Sequence, residues 1–263
     1  MRIALAQIAA TADPEQNLEQ VADAVTAAAA RGARLVVFPE ATQRRFGAPL
    51  GPVAEPLDGR WATRVREIAA GAGVTVIAGM FTPADDGRVR NTLLATGGGT
   101  EAHYDKIHLF DAFGFTESDG IAPGDRPVTI TVDSLTIGLA TCYDLRFAGL
   151  FQRLGDEGAE LVVVPASWGA GPGKREQWEL LVRARALDST AFVAACDQAD
   201  PATAGLDVPP GAPTGIGASL VAGPTGTVVD GLEAAPGLLV ADVDTAEVTP
   251  VRRSIPVLAN RRY

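Results

Sequence analysis

The stretch Leu135-Thr136-Ile137-Gly138-Leu139-Ala140-Thr141-Cys142-Tyr143-Asp144-Leu145-Arg146-Phe147 decides how the chain is read. Its first seven residues are an apolar run with β-branched members, the pattern of a short buried strand. The run stops at Cys142. Phe147, Leu150, Phe151 and Leu154 then recur at the spacing of one helix face. A strand that ends at a cysteine and turns into a helix holds a thiol at the carboxyl edge of a sheet. The amides of the helix start lie beside it, and their partial positive charge favours a thiolate or an oxyanion. Cys142 is therefore a candidate nucleophile. A free cysteine is as often a small core hydrophobe, and this stretch alone leaves both readings open.

Working outward, residues 128–132 and 135–141 form a hairpin turning at Asp133-Ser134. Downstream lie an apolar strand at 161–164 ending in Pro165, a helix at 177–187 and a strand at 191–196. Short strands at 219–222, 227–229 and 238–243 follow. Upstream, a strand at 2–8 precedes a helix opened by Asp13 as N-cap and Pro14 at its first position. Leu18, Val21, Val25 and Ala28 form its apolar stripe, and Gly32 closes it. A strand at 35–38, a helix at 60–70 stopped by Gly71 and a strand at 74–80 complete a parallel βαβ pattern. Residues 90–95 and 101–106 then read as a hairpin over Gly97-Gly98-Gly99. The Gly/Pro-rich segments 111–127 and 200–217 are long for loops between core strands, which makes them candidate walls of a site. The tail, 251–263, is basic with little periodicity.

At 263 residues the chain is long enough for a large single core. With 47% hydrophobic and 21% charged residues it is globular rather than disordered. The net charge of −10 without a long basic run argues against a nucleic-acid partner. Two cysteines, Cys142 and Cys196, make no disulfide framework and fit a reducing, cytoplasmic setting; Cys196 reads as filler of a core strand. A strand pattern begins at Ile3, so no signal peptide is expected, and no apolar run is long enough to span a bilayer. Metal-ligand spacings and phosphate-binding glycine loops of the usual forms are not seen, so no metal or cofactor is expected.

Two further strand ends carry chemistry: Phe38-Pro39-Glu40 and Tyr104-Asp105-Lys106. An ordinary thiol is only a few per cent ionised at neutral pH and needs a base or a nearby cation. His103 and His108 flank Lys106 on the face expected to alternate away from it, which leaves a desolvated carboxylate such as Glu40 as the base. Amide attack creates an oxyanion, for which Lys106 and the Tyr143 amide are candidate donors. Taken singly, Glu40 and Lys106 are the residues of a solvated surface; the hypothesis gains from their joint occurrence with Cys142.

These stretches, with Thr141-Cys142-Tyr143-Asp144-Leu145-Arg146-Phe147, resemble the three signature motifs of the nitrilase, or carbon–nitrogen hydrolase, superfamily. The likeness extends to Glu117-Ser118, to Val164-Pro165-Ala166-Ser167-Trp168, to the helix from Gln177 through Asp188 and to Gly223-Pro224-Thr225-Gly226. It implies a four-layer α-β-β-α sandwich over residues 1–263 as a single domain, assembled as a homodimer or larger oligomer, without metal or cofactor. It implies Cys142 as nucleophile, Glu40 as general base and acid, Lys106 as stabiliser of the tetrahedral intermediate and Glu117 as the second glutamate. Tyr143, Arg146 and Trp168 would face the substrate.

Within the superfamily the chain resembles the branch of omega-amidases and deaminated-glutathione amidases, whose substrates carry a carboxylate near the amide. Arg146, Arg175 and Arg183 are candidate partners for it. An N-carbamoyl amide hydrolase or a nitrilase would use the same triad, and a catalytically silent interaction module would keep only the fold. Three departures stand out. Ala148-Gly149 replaces the usual Pro-Glu, which touches the carboxylate partner of Arg146. Gly217-Ala218-Ser219 predicts a more open pocket side. Residues 199–213 form a longer loop.

Overall fold

The computed structural model describes residues 1–112, 114–209 and 211–262. In chain order the first half contains β1 (Arg2–Gln7), α1 (Pro14–Ala30), β2 (Leu35–Val37), α2 (Arg60–Ala72), β3 (Thr75–Pro83), β4 (Val89–Gly97) and β5 (Thr100–Asp105). The short strands β6 (Asp111–Ala112), β7 (Phe115–Thr116) and β8 (Ile121–Ala122) occupy the first long loop. The second half contains β9 (Val128–Val132), β10 (Leu135–Leu139), α3 (Ala148–Asp156), β11 (Leu161–Ala166), α4 (Lys174–Ser189) and β12 (Phe192–Asp197). It closes with β13 (Leu220–Ala222), β14 (Val228–Gly231), β15 (Gly237–Asp242), α5 (Val248–Ser254) and α6 (Val257–Asn260).

Apart from the two-stranded pair β6-β7, the strands form two mixed sheets. One runs β15-β1-β2-β3-β4-β5, with β8 beside β4; the other runs β14-β13-β12-β11-β10-β9. Each has a parallel core, β1-β2-β3 in one and β10-β11-β12 in the other, flanked by antiparallel strands. The inner faces meet in one apolar layer that includes Leu5, Val37, Ile77 and Leu93 from the first sheet and Ile137, Val163 and Cys196 from the second. The outer face of the first sheet is covered by α1 and α2 through Val21, Val25, Trp61 and Val65. The outer face of the second is covered by α3 and α4 through Phe151, Leu154, Trp178 and Val182. This is the α-β-β-α sandwich.

Local signals behave as their chemistry dictates. The Asp13 carboxylate accepts the Glu15 amide at 3.0 Å, and the predicted stripe of α1 is its buried face. Asp133 and Ser134 both have positive φ, 47° and 70°, which gives the tight β9–β10 turn the twist of a type I′ connection. Three expectations shift. Helix α2 runs through Gly71 and stops at Gly73, whose left-handed φ of 67° closes it; a glycine weakens a helix interior without ending it. Strand β10 ends at Leu139, and Cys142 opens a 3-10 turn, Cys142–Arg146, before α3. The tail is not irregular: α5 and α6 fold back on the body, where the Arg252 guanidinium donates to the Ala159 carbonyl at 2.6 Å and Arg261 pairs with Asp156. Helices this short give too few turns for a periodic signal.

Chemistry-bearing residues collect where the strands end. Glu40 follows β2 and Lys106 follows β5 in one sheet. Cys142 follows β10, Ser167 follows β11 and Asp197 ends β12 in the other. Gly79, in the middle of β3, makes room for the first of these. A Cβ there would lie 2.5 Å from the Ala41 nitrogen and 3.0 Å from the Glu40 Cα.

Candidate active site

Glu40, Lys106, Glu117 and Cys142 line one cleft, together with Tyr143, Arg146 and Trp168. Phe46, Phe110, Phe115, Ser167, Gly169, Lys174 and Pro213 complete the lining.

The inner end is a buried ion cluster. Lys106 Nζ lies 2.9 Å from Glu40 Oε1 and 3.1 and 3.0 Å from the two Glu117 oxygens. Asn91 Nδ2 donates to Glu40 Oε1 at 2.6 Å, and the Ser167 amide donates to Glu40 Oε2 at 2.9 Å. The Phe110 amide donates to Glu117 Oε2 at 2.5 Å. Each buried charge thus has both a counter-charge and hydrogen bonds, without which its burial would be prohibitive. Burial pushes the Glu40 carboxyl up; the ammonium of Lys106 opposes this and the charge of Glu117 adds to it. Burial alone would lower Lys106, but Glu40, Glu117 and Cys142 together hold it well above the ordinary lysine range. The Cys142 thiol is pushed up by burial and by Glu40, against the pull of Lys106 and the Ser167 amide. The resting sulfur is therefore a thiol beside a carboxylate of raised proton affinity.

Cys142 sits at φ 44°, a left-handed conformation that an L-residue adopts at a cost of about 1–3 kcal/mol and that clusters at functional sites. The turn that imposes it is held by Asp144. One oxygen of this fully buried carboxylate accepts the Thr141 amide at 2.8 Å and the Tyr104 hydroxyl at 2.6 Å. The other meets the His108 amide at 3.0 Å and His108 Nδ1 at 2.7 Å. Asp144 thereby ties the cysteine turn to the strand end that carries Lys106. His108 lies beyond the end of β5 at Asp105, and its ring meets Asp144 instead of lining the cleft, so it does not serve as the base there. Burial and the charge of Asp144 hold the Tyr104 phenol well above its usual range.

The loop after β11 is gripped by carboxylates on consecutive amides: Ser167 N on Glu40, and Trp168 N on Asp197 Oδ1 at 2.7 Å. The other oxygen of Asp197 accepts the Ile216 amide at 2.9 Å, and burial drives its pKa well up. Gln198 Nε2 donates to the Glu40 carbonyl at 2.9 Å. Of the long loops, 111–127 brings Glu117 and Phe115 to the cleft, and 200–217 brings Pro213, whose carbonyl accepts the Ser167 hydroxyl at 2.6 Å.

Of the candidate arginines, only Arg146 reaches the cleft. Its guanidinium lies over the Trp168 ring at 5.0 Å and donates to Gln177 Oε1 at 2.9 Å; among the described residues it forms no ion pair. Its side-chain hydrogen-bond partner is thus an amide oxygen, while Ala148-Gly149 offers no carboxylate. Arg175 is paired with Glu179 and Glu233, and Arg183 donates to the Gly226 carbonyl, so neither faces the substrate side. Gly217-Ala218-Ser219 lies behind the wall rather than on it: the Ser219 amide donates to Gln7 Oε1 and the Ala218 carbonyl accepts Trp178 Nε1. Cys196 is core filler, its thiol on the Val37 carbonyl at 3.3 Å. Asn91, Lys174 and Phe46 were not legible as site residues, because nothing in their local pattern separates them from ordinary strand, helix and loop positions.

The chain is similar to known proteins along nearly its whole length. The family model for carbon-nitrogen hydrolase matches residues 2–253. Hydrolase Rv0480c of Mycobacterium tuberculosis is 57% identical over 267 residues, covering 99% of this chain and 95% of its own. The deaminated glutathione amidase of Escherichia coli O157:H7 is 34% identical, covering 100% of this chain and 98% of its own. Among solved structures, a variant of the amidase from Nesterenkonia sp. AN1 superposes with a TM-score of 0.82 at 27% identity, covering 100% of this chain and 94% of that one. It carries the acetamide moiety of fluoroacetamide on its active-site cysteine.

Proposed function

Because the chain belongs to the carbon–nitrogen hydrolase family, whose members cleave C–N bonds, we propose that it hydrolyses a small primary amide, the omega-amide of a carboxylic acid, to acid and ammonia. The observation that carries this reading is the convergence of Cys142 with the Glu40–Lys106–Glu117 cluster in one cleft. Glu40 takes the thiol proton as sulfur attacks the carbonyl carbon. The C–S bond forms and the carbonyl electron pair moves to oxygen, beside the Lys106 ammonium and the Tyr143 amide. Glu40 passes its proton to the nitrogen, the C–N bond breaks and ammonia leaves a thioester. Water then gives a proton to Glu40 and attacks; collapse breaks the C–S bond and the proton returns to sulfur. The sum is amide plus water to acid plus ammonia.

A positioned base contributes about 10²–10⁴-fold, and each oxyanion donor about 3–4 kcal/mol. Glu117 acts through Lys106, keeping it cationic and in place. The substrate carboxylate is assigned to Arg146, which suits a planar two-oxygen anion. On the same reading the protein works in the cytoplasm as a homodimer or larger homo-oligomer, supported by two unpaired cysteines and by the exposed Leu180 and Leu187 of α4. Among the described residues no helix is long and apolar enough to cross a membrane.

The test is ammonia release from a panel of omega-amides, neutral amides, ureido acids and nitriles by the wild type and Cys142→Ala. Turnover of an acid amide that drops by about 10⁴-fold or more in the variant is the expected result. Carbon dioxide among the products would mark a carbamoyl hydrolase instead. Undiminished ammonia release by Cys142→Ala would end the assignment.

A further inference from the structure

The two ends of the cleft differ in charge. At the inner end Lys106 is offset by two carboxylates. At the outer end stand two cations, Arg146 and Lys174, lining the same cleft. One indole organises both. The Trp168 ring lies under the Arg146 guanidinium, and its Nε1–H donates to the Lys174 carbonyl at 3.0 Å. Lys174 opens α4, and its Nζ lies 5.8 Å from the centre of the Phe110 ring. Arg146 also lies 5.9 Å from the centre of the Tyr143 ring. Burial and the charge of Arg146 both push the Lys174 ammonium below its ordinary range. Two like charges kept together in a partly dry cleft repel each other, and an anion between them relieves that repulsion. The chain as a whole carries −10, so an anionic substrate needs such a local attraction to enter.

We propose that Lys174 is a specificity-determining residue that closes on the distal carboxylate of the substrate from the side opposite Arg146. The carboxylate then bridges guanidinium and ammonium while the amide reaches Cys142. This rests on the amidase reading above and adds a second jaw to it. Neutral amides of the same length reach the thiol without that anchor. An amide bearing a distal ammonium is repelled.

The experiment compares kcat/KM for glutaramate, its neutral analogue valeramide and the cationic 4-aminobutanamide in wild type, Lys174→Gln and Lys174→Glu. The glutaramate-to-valeramide ratio is expected to fall about tenfold to a hundredfold in Lys174→Gln, the range for a lost charge-assisted contact. Lys174→Glu is expected to shift preference toward 4-aminobutanamide. In parallel, calorimetry on Cys142→Ala with and without Lys174→Gln reads glutaramate binding apart from turnover, with the same loss expected. An unchanged ratio together with unchanged binding would overturn the role of Lys174. Wild-type protein that hydrolyses no amide would sink the amidase reading instead, and the calorimetry would still decide on the cation pair.

Discussion

Replacing Gly79 by alanine tests whether β3 sets the position of the base. The added Cβ would lie 2.5 Å from the Ala41 nitrogen and 3.0 Å from both the Cα and the carbonyl carbon of Glu40. Ordinary carbon contacts are about 3.5–4.0 Å, so one backbone must retreat by roughly 0.5–1 Å. The obstructing atoms are main chain, and no side-chain rotation relieves them. Overpacking of this kind costs about 1–3 kcal/mol, which for a chain of this length lowers Tm by about 2–6 °C. Ala41 already occupies φ 57° and the Glu40 carbonyl is held by Gln198, so the displacement is passed to the Glu40 carboxylate. A shift near 1 Å at a catalytic group costs about 10²-fold in rate. Gly155→Ala is the control. Its Cβ would meet the Ser189 carbonyl at 2.9 Å and the Leu258 side chain at 3.0 Å, on the far face of α3. Both variants should lose stability, measured by thermal unfolding, while only Gly79→Ala loses kcat for amide hydrolysis at a temperature where both remain folded. Equal kcat in the two variants would refute the idea that this strand fixes Glu40.

The pH profile follows from the ion cluster. Glu40 must be ionised to accept the thiol proton, and its pKa is raised, so kcat/KM should decline on the acid side above the ordinary carboxylate value of 4.5. Glu117→Gln removes one of the charges that raise it and should move that acid limb down; a limb that stays put would mean that another group governs it. Alkylation separates the two thiols. Cys142 lines the cleft whereas Cys196 is fully buried, so native protein should take up one equivalent of iodoacetamide by mass spectrometry and lose ammonia release in step. Native Cys142→Ala should take up none, and modification of Cys196 in that variant would contradict the packing described.

Much of the fold is legible because its signals are local. The Asp13-Pro14 cap, the stripe of α1, the apolar runs of the parallel strands and the Asp133-Ser134 turn each carry their cause within a few residues. The candidate site divides differently. Glu40, Lys106 and Cys142 stand out because each is a reactive residue placed just after a strand pattern. Asn91 and Lys174 do not, because what they meet, the Glu40 carboxylate two strands away and the Trp168 indole, is brought to them only by the fold. Arg175 and Arg183 look as suitable as Arg146, and only the orientation of α4 turns them onto Glu233 and Gly226 instead. The left-handed backbone of Cys142 has no marker either, since the residue that would announce it is a glycine and a cysteine stands there.

The division of the site between the sheets has a consequence for how stability and rate are linked. Glu40, the proposed base, and the Lys106 ammonium belong to one sheet, and the Cys142 thiol and the Ser167 amide belong to the other. The two sets meet where the inner faces interlock through residues such as Leu5, Val37, Ile137 and Val163. Direct ties across the seam include Ser167 to Glu40, Gln198 to the Glu40 carbonyl, Asp144 to Tyr104 and His108, Ser219 to Gln7 and Cys196 to the Val37 carbonyl. A change in the apolar layer that lets one sheet slide by a fraction of an ångström moves base against nucleophile before it unfolds either sheet. The central core is therefore part of what aligns the reacting groups, whereas the outer helices stabilise each sheet separately and leave that alignment to the seam.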